Sequence, residues 1–212
     1  MDEFKNIINT DIRTELINFF WTNKDLHFFT NDMLKIRKPW QGITEELLEP
    51  ILSNIIDTTN SLGDNYFYHK FSYLPHTDYQ EKESYNVLIP LDIENKIDEQ
   101  FFVVFDQMFL HNGRTFCGNL EMEEFVSNKL YRGHIKTEDA TDITNKSMST
   151  KFYNTYLDNS YPMCHQDLFW GLTGNAFEWI PGNIIVFDSR HIHCTGKMNC
   201  DAKLGLTLRF EQ

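Results

Sequence analysis

The sequence predicts an α+β domain that is mainly β, with a helical layer followed by an antiparallel sandwich. Apolar residues recur at helical spacing over residues 4–20 and again over 44–56. From Asn65 the period changes to two, and short runs of aromatic and β-branched residues continue to the C-terminal end. Because the helices precede the strands instead of alternating with them, this order favours helices packed on one face of an antiparallel sheet.

Length and composition limit what the chain can be. Its 212 residues suit one domain, and 41% hydrophobic with 15% aromatic residues indicates a packed core and not a disordered segment. A formal net charge of −12 disfavours binding to a nucleic-acid backbone. The polar N-terminal segment and the lack of a long apolar run predict a soluble, cytoplasmic protein without a membrane partner, whose four cysteines are reduced thiols.

We expect a single domain, 1–212, in which no linker separates independent units. Residues between the two halves of the strand pattern are polar and lack a clear period, so we expect a lid or insertion there that contributes no core. The N-terminal helical layer is expected over 1–62 and the insertion over 111–160. The sandwich core is expected in two pieces, 63–110 and 161–212.

The C-terminal part carries the densest strand signals. Residues 183–187 (NIIVF) follow a Pro-Gly turn, and residues 203–210 (KLGLTLRF) alternate apolar with polar or small side chains. His191 and His193 lie between these runs. Since they are two apart in extended chain, both histidines are expected on the same side of one strand.

A second histidine-containing motif lies upstream, where YLPHTDY places His76 and Asp78 two residues apart after a strand. Two histidines and one carboxylate on one face are the ligands that non-haem Fe(II) oxygenases use. His165 and Asp167 repeat the pattern only 28 residues before His193, too few for the intervening strands of a sandwich, whereas His76 lies 117 residues before it. The upstream pair is therefore the candidate metal site, with an ordinary surface pair as the alternative reading.

Over residues 65–209 the chain resembles the Fe(II)/2-oxoglutarate-dependent dioxygenases of the double-stranded β-helix, or jelly-roll, class. The resemblance rests on the joint order of YLPHTDY, YNVLIPLD, VVFDQ, WIPGNIIVFDSRHIHC and KLGLTLRF, which look like a little-characterised bacterial and phage branch. It implies a jelly roll with N-terminal helices packed on one sheet, and Fe(II), 2-oxoglutarate and O₂ as cofactor and co-substrates. The implied reaction converts 2-oxoglutarate to succinate and CO₂ and oxidises a C–H bond of a small molecule, amino acid or protein side chain.

The family pattern implies roles for individual residues, beginning with the metal. It consists of an HxD pair, a distant histidine and a basic residue on the last strand. His76, Asp78 and His193 are the implied iron ligands, because the later segment resembles S-R-x-x-H-C. His191 remains open as an alternative to His193, since the two share a face.

The basic residue of the pattern is expected to bind the distal carboxylate of 2-oxoglutarate, because an unpaired buried charge is very costly. Lys203 and Arg209 share a face by parity. Lys203 lies ten residues after His193, within the family's usual spacing, and is the preferred anchor, with Arg209 as helper or substitute. Thr207 and Tyr68 could each add a hydroxyl group to the same carboxylate.

Two other functions fit parts of this pattern. A cupin-like metalloenzyme that does not use 2-oxoglutarate would keep the three metal ligands but need no cation on the last strand. A non-enzymatic jelly-roll binding module would need neither the ligands nor the cation. Release of succinate from 2-oxoglutarate in the presence of iron separates the three.

Overall fold

The computed structural model describes residues 1–30, 33–38, 41–72, 75–78, 83–108, 144, 146–157, 166–169 and 171–212. The helices are α1 (Thr10–Thr22) and α2 (Ile43–Leu52), with short helical turns at Lys24–Leu26, Thr150–Phe152, Tyr153–Leu157 and Gln166–Phe169. The strands are β1 (Asp2–Phe4), β2 (Phe28–Thr30), β3 (Met33–Lys38), β4 (Ser61–His69), β5 (Ser84–Glu94), β6 (Phe101–Met108), β7 (Gly174–Glu178), β8 (Ile184–Asp188), β9 (His191–Thr195) and β10 (Ala202–Glu211). Among these described helices, none combines the length and apolar character needed to cross a bilayer.

The strands form two antiparallel sheets. Within the described ranges, the larger sheet has the order β1-β8-β5-β10-β4-β3-β2 and the smaller sheet has the order β7-β6-β9. A two-way backbone bridge between His76 and His193 attaches the segment 75–78 to β9. The prediction of a mainly β, antiparallel fold with a few helices is confirmed.

The larger sheet lies between the two α-helices and the smaller sheet. Its central strand, β10, contacts the helices with one face and the smaller sheet with the other. Its even-numbered residues, 204–210, belong to an apolar core that includes Phe20 of α1 and Leu48 of α2. Its odd-numbered residues face the smaller sheet, where the indole of Trp179 packs against Gly205. One strand therefore supplies leucines to the helical side and polar groups to the space between the sheets.

Local signals set the bounds of the two helices. The side chain of Asn9 caps α1 by accepting a hydrogen bond from the Ile12 N–H at 2.9 Å. Gly42 precedes α2 with φ of +67°, a conformation that glycine adopts without a steric penalty. Pro50 lies inside α2, which ends two residues later at Leu52. Packing of the apolar face, at about 1.5–3 kcal/mol for each large buried side chain, stabilises both helices.

The first 62 residues are not the purely helical layer that we expected. β1 pairs with β8, and the β2–β3 hairpin pairs with β4 at the edge of the larger sheet. β7 was also missed, and it is held by pairing with β6. These strands depend on partners distant in sequence, which local propensity does not report.

Most of the expected insertion, 111–160, lies outside the described residues. Its described end contributes Met148 and Leu157 to an apolar core on the smaller sheet, where they accompany Val103 and Phe105. The expectation that this segment supplies no core is therefore wrong for its C-terminal end, where apolar side chains separated by turns pack without a regular period.

Gly205 allows two aromatic rings to approach β10 closely. A Cβ atom at this position would lie 2.6 Å from Cζ of Phe67 and 2.8 Å from Cη2 of Trp179. We expect Gly205→Ala to lower the free energy of unfolding by about 1–3 kcal/mol, as overpacking does, measured by urea denaturation. Phe67→Leu should recover part of this loss in the Gly205→Ala background, because it removes the nearer ring atom. An equal effect of Gly205→Ala in both backgrounds would contradict the steric explanation.

Candidate metal centre

Backbone hydrogen bonds hold the His76–Asp78 segment against β9. The His76 N–H donates to the His193 carbonyl and the His193 N–H donates to the His76 carbonyl, both at 2.9 Å. The Asp78 N–H donates to the carbonyl of Ser189, in the turn before β9, at 3.2 Å. The fold thus brings together side chains that are 117 residues apart in sequence.

Possible ligand atoms of His76, Asp78 and His193 lie within 4.8 Å of one another. Nε2 of His76 is 3.8 Å from Oδ1 of Asp78, and Nε2 of His193 is 3.4 Å from Oδ2 of Asp78. Two atoms bound to one cation at about 2.1 Å can be no more than about 4.2 Å apart, so both distances fit a shared ion. Two imidazoles with one carboxylate suit a divalent transition metal.

Neighbouring groups orient these side chains. Nδ1 of His193 donates to the His191 carbonyl at 2.9 Å, which turns Nε2 toward the cluster. Nδ2 of Asn86 donates to Oδ2 of Asp78 at 3.0 Å. Nη1 of Arg209 donates to the Asp78 carbonyl at 3.3 Å, so the last strand also holds the segment in place.

The charge of Asp78 is set by competing effects. Burial by itself would raise the pKa of the Asp78 carboxyl group. The hydrogen bond with His193 and the charges of His193, His76 and Arg209 outweigh burial and hold the pKa below its usual value. The group is therefore a carboxylate at neutral pH, which is the form that binds a cation.

The structure separates the two histidines of β9. Nδ1 of His191 donates to the Phe105 carbonyl at 2.7 Å, and the ring lies away from the cluster. The pairing of β6 with β9 shifts register next to His191, so shared parity does not give a shared environment. The competing pair cannot be placed, because His165 and the side chain of Asp167 lie outside the described residues.

The cluster opens into a cavity of about 320 Å³ between the two sheets. Aromatic and aliphatic groups form much of its wall, with cations at several points. The polar and aromatic residues that line it include Lys35, Arg37, Asn65, His69, Trp179, Thr207 and Arg209.

The two cations of β10 differ in their relation to this cavity. Arg209 lines it together with Thr207, whereas Lys203 is fully buried directly beside its wall. Nζ of Lys203 lies 3.5 Å from the Phe101 carbonyl oxygen and 5.1 Å from the ring centroid of Trp179. Burial lowers the pKa of Lys203 to about 7. No carboxylate of the described ranges pairs with it, so the buried ammonium group lacks a counter-charge.

His69 faces Lys203 across the β4–β10 pair and has a buried nitrogen without a partner. Its Nδ1 donates to the Phe71 carbonyl at 2.6 Å, while Nε2 is buried and unbonded in the described structure. Burial, with the charge of Lys203, lowers the pKa of His69 to about 4, so the ring is neutral at pH 7. A buried polar atom without a partner costs about 1–3 kcal/mol.

Tyr68 lies on the face of β4 opposite the cavity. Its hydroxyl donates to Oε2 of Glu94 at 3.0 Å, and its ring meets Trp21 of α1 edge-on, with ring centroids 5.1 Å apart. The structure therefore places Tyr68 away from the site, against the prediction that it binds the co-substrate. Alternation along an aromatic strand shows which residues share a face but not which face is turned toward the second sheet.

Sequence reasoning missed several polar residues of the cavity. Lys35 and Arg37 were overlooked because the segment was expected to be helical, although MLKIRK alternates charged with apolar residues at the period of a strand. His69 was read as a surface or core histidine, and no local signal distinguishes it. The hydrogen bond from Asn86 to Asp78 is made by the tertiary structure, and no pattern in the sequence predicts it.

The fold is similar to those of solved Fe/2-oxoglutarate-dependent oxygenases, each at low sequence identity. A prolyl-4-hydroxylase from Pseudomonas putida matches with TM-score 0.52 and 10% identity, over 100% of this chain and 92% of that one. The epimerase SnoN, in complex with Fe³⁺, α-ketoglutarate and nogalamycin RO, matches with TM-score 0.56 and 8% identity, over 99% and 78%. A prolyl hydroxylase from Trichoplax adhaerens, in complex with a hypoxia-inducible-factor peptide fragment, matches with TM-score 0.52 and 9% identity, over 99% and 82%. No family model and no curated protein matches the sequence.

Proposed function

We propose that this protein is a non-haem Fe(II)- and 2-oxoglutarate-dependent dioxygenase. The observation that carries the proposal is the convergence of His76, Asp78 and His193 on one cavity, in a fold similar to that of such enzymes. The primary substrate is a small molecule, an amino acid or a protein side chain, whose C–H bond is oxidised.

The proposed fold is a double-stranded β-helix with the helices packed on its larger sheet. From β4 onward the chain alternates between the sheets: β4 in the larger, 75–78 beside the smaller, β5 in the larger, β6 and β7 in the smaller, β8 in the larger, β9 in the smaller and β10 in the larger. This alternation supports the proposal because each passage between sheets adds a turn around one interior. It also explains why the metal ligands meet inside the sandwich.

The donor set fits one Fe(II) ion. His76 and His193 would bind it through Nε2 and Asp78 through one carboxylate oxygen, leaving further coordination positions open. When bound, iron with 2-oxoglutarate and O₂ supplies the oxidation of a C–H bond as the co-substrate becomes succinate and CO₂. The chain holds the ion, positions the substrate and excludes water. Phe102 and Phe187 serve the last role, since their ring centroids lie 5.6 and 4.9 Å from that of His193.

Lys203 is proposed as the main anchor of the distal carboxylate of 2-oxoglutarate. A buried ammonium group without a counter-charge, beside the cavity that holds the metal cluster, supports this role. Thr207 and Arg209, which line the cavity on the same strand, are proposed to assist through a hydroxyl group and a guanidinium group.

Metal-dependent release of succinate from 2-oxoglutarate tests the proposal. Protein reconstituted with Fe(II) without oxygen, then supplied with 2-oxoglutarate and O₂, is expected to form succinate slowly even without a primary substrate. Binding of 2-oxoglutarate to the Mn(II)-loaded protein gives a second measurement that does not depend on turnover. A cupin-like enzyme would bind the metal and leave 2-oxoglutarate unbound, and a binding module would bind neither.

Asn86 offers a test of how the metal site is positioned. Its side chain is fully buried and donates to Asp78, while its own Oδ1 has no partner in the described structure. Asn86→Leu keeps the volume but removes the hydrogen bond, so we expect metal affinity to fall about 10–100-fold, measured by competition with a chelator. Gln107→Leu is the matched control, because that buried amide bonds to Thr173 and lies outside the cluster. Unchanged metal affinity in Asn86→Leu would contradict the positioning role.

A further inference from the structure

The β2–β3 hairpin places two cations on the wall of the cavity that holds the metal cluster. Lys35 and Arg37 are two residues apart on β3, so their side chains share a face with Cα atoms about 6.5 Å apart. Both line the cavity. In register, Lys35 lies opposite Phe67 and Arg37 opposite Asn65. The hairpin is additional to the strands of the proposed β-helix, so it extends the site beyond what the metal requires.

Neither cation is neutralised within the part of the chain that the structure describes. No carboxylate there forms an ion pair with Lys35 or Arg37, and the guanidinium of Arg37 lies 5.9 Å from the ring centroid of Phe28. Burial, followed by the charge of Arg37, lowers the pKa of Lys35, while the charge of Asp78 acts in the opposite direction. In a chain with net charge −12, two such cations on one wall form a local positive region.

Asn65 adds a neutral polar group to the same wall. It lies between Arg37 on β3 and Thr207 on β10 in the sheet register, and it lines the cavity. Its buried Oδ1 has no partner in the described structure. A ligand at this wall would therefore meet a guanidinium and an ammonium as hydrogen-bond donors, and Oδ1 of Asn65 as an acceptor.

The two carboxylates of 2-oxoglutarate do not account for these groups. In the proposed function one carboxylate lies at the metal cluster and the other at Lys203, which pairs with His69 at the far end of β4. β4 lies between β10 and β3, so Lys35 and Arg37 are on the opposite side of that strand from Lys203. They are available to a second anion.

We propose that Lys35 and Arg37 bind a carboxylate or phosphate group of the primary substrate, which is an anionic small molecule. The inference rests on the proposed function, since it assigns the substrate of the same cavity. A guanidinium binds either anion through two parallel hydrogen bonds, and the neighbouring ammonium adds a third. A cavity of about 320 Å³ suits a small ligand.

Calorimetric titration of Mn(II)-loaded protein, saturated with 2-oxoglutarate and kept free of oxygen, tests the inference. The probes are inorganic phosphate, N-acetylglycine and its neutral amide, N-acetylglycinamide. We expect phosphate or N-acetylglycine to bind, which distinguishes the two anion classes, and N-acetylglycinamide not to bind. The double variant Lys35→Gln/Arg37→Gln should weaken anion binding at least about tenfold. The control Lys5→Gln/Lys24→Gln removes the same charge from exposed positions and should leave anion binding unchanged.

The affinity for 2-oxoglutarate, measured in parallel, separates this inference from the proposed function. The Lys35→Gln/Arg37→Gln variant should keep that affinity within about threefold of the wild type. A tenfold loss would assign the cations to the co-substrate and overturn the inference, as would failure of the wild type to bind either anion. If the wild type does not bind 2-oxoglutarate at all, the proposed function fails instead, and anion titration without it still measures the Lys35–Arg37 site.

Discussion

Asp78→Ala is expected to abolish metal binding and, with it, turnover of 2-oxoglutarate. Asp78 supplies the one carboxylate of the three-residue cluster found in the described ranges. Without it, two neutral imidazoles face a divalent cation with no negative charge to offset it. Changes to groups that only orient a ligand cost about 10–100-fold in metal affinity, so loss of the ligand itself should exceed about a hundredfold. Metal content after dialysis, chelator competition and succinate release measure the effect.

His193→Ala should have a similar effect, and the same strand offers a matched control. The ring of His191 bonds to the Phe105 carbonyl, outside the cluster, while the His191 carbonyl accepts a hydrogen bond from the ring of His193. His191→Ala should therefore lower stability and leave metal affinity nearly unchanged. Loss of the metal in His191→Ala together with its retention in His193→Ala would show that the ligand assignment is wrong.

Lys203→Met is expected to stabilise the ligand-free protein while weakening its binding of 2-oxoglutarate. Lys203 is fully buried beside Trp179, and burial lowers its pKa to about 7. At pH 7 and below, the buried charge costs free energy on the order of a few kcal/mol. Methionine has a similar length and no charge, so Tm should rise by at least about 2 °C. The affinity for 2-oxoglutarate should fall at least about tenfold, or roughly 1.4 kcal/mol.

The same shift of the Lys203 pKa predicts how the stability of the protein and its affinity for 2-oxoglutarate change with pH. The folded pKa of about 7 lies below the unfolded value of about 10.4, so the unfolded state holds the proton more tightly. The wild type is therefore destabilised fully below about pH 7, and this penalty disappears as the pH approaches about 10. The difference in Tm between Lys203→Met and the wild type should narrow over that range. Wild-type affinity for 2-oxoglutarate should fall above about pH 7, because the anion needs the ammonium form, and Lys203→Met should lack this slope.

Comparison of Arg209→Met with Lys203→Met decides which cation of β10 is the anchor, and Lys96→Met serves as the control. Arg209→Met should weaken 2-oxoglutarate binding less than Lys203→Met does, since Arg209 also bonds to the Asp78 carbonyl. Lys96→Met, at an exposed cation paired with Glu178, should have no effect on binding. A larger loss in Arg209→Met, with none in Lys203→Met, would make Arg209 the anchor. If neither variant weakens binding about tenfold, the proposed use of 2-oxoglutarate is wrong.

The sequence by itself determined the features that depend on neighbouring residues. Alternating and short apolar runs located β4, β5, β6, β8, β9 and β10, because both patterns are properties of each strand alone. The spacing of His76 and Asp78 indicated a candidate pair of metal ligands, and the alternation of β10 placed Lys203 and Arg209 on one face. The apolar helical period likewise located α1 and α2, although their ends required the caps.

Only the tertiary structure decided which face, which partner and which edge each strand uses. Tyr68 and His69 are neighbours with opposite directions, and the pairing of β4 with β3 and β10 turned His69 toward the cavity. By parity His191 and His193 share a face of β9, but the register shift in the pairing of β6 with β9 gives them different neighbours. Lys35 and Arg37 reached the site because the β2–β3 hairpin pairs with β4, a contact between segments far apart in the chain. Alternation fixes which side chains share a face, whereas inward or outward orientation is set by pairing and packing between residues far apart in the chain.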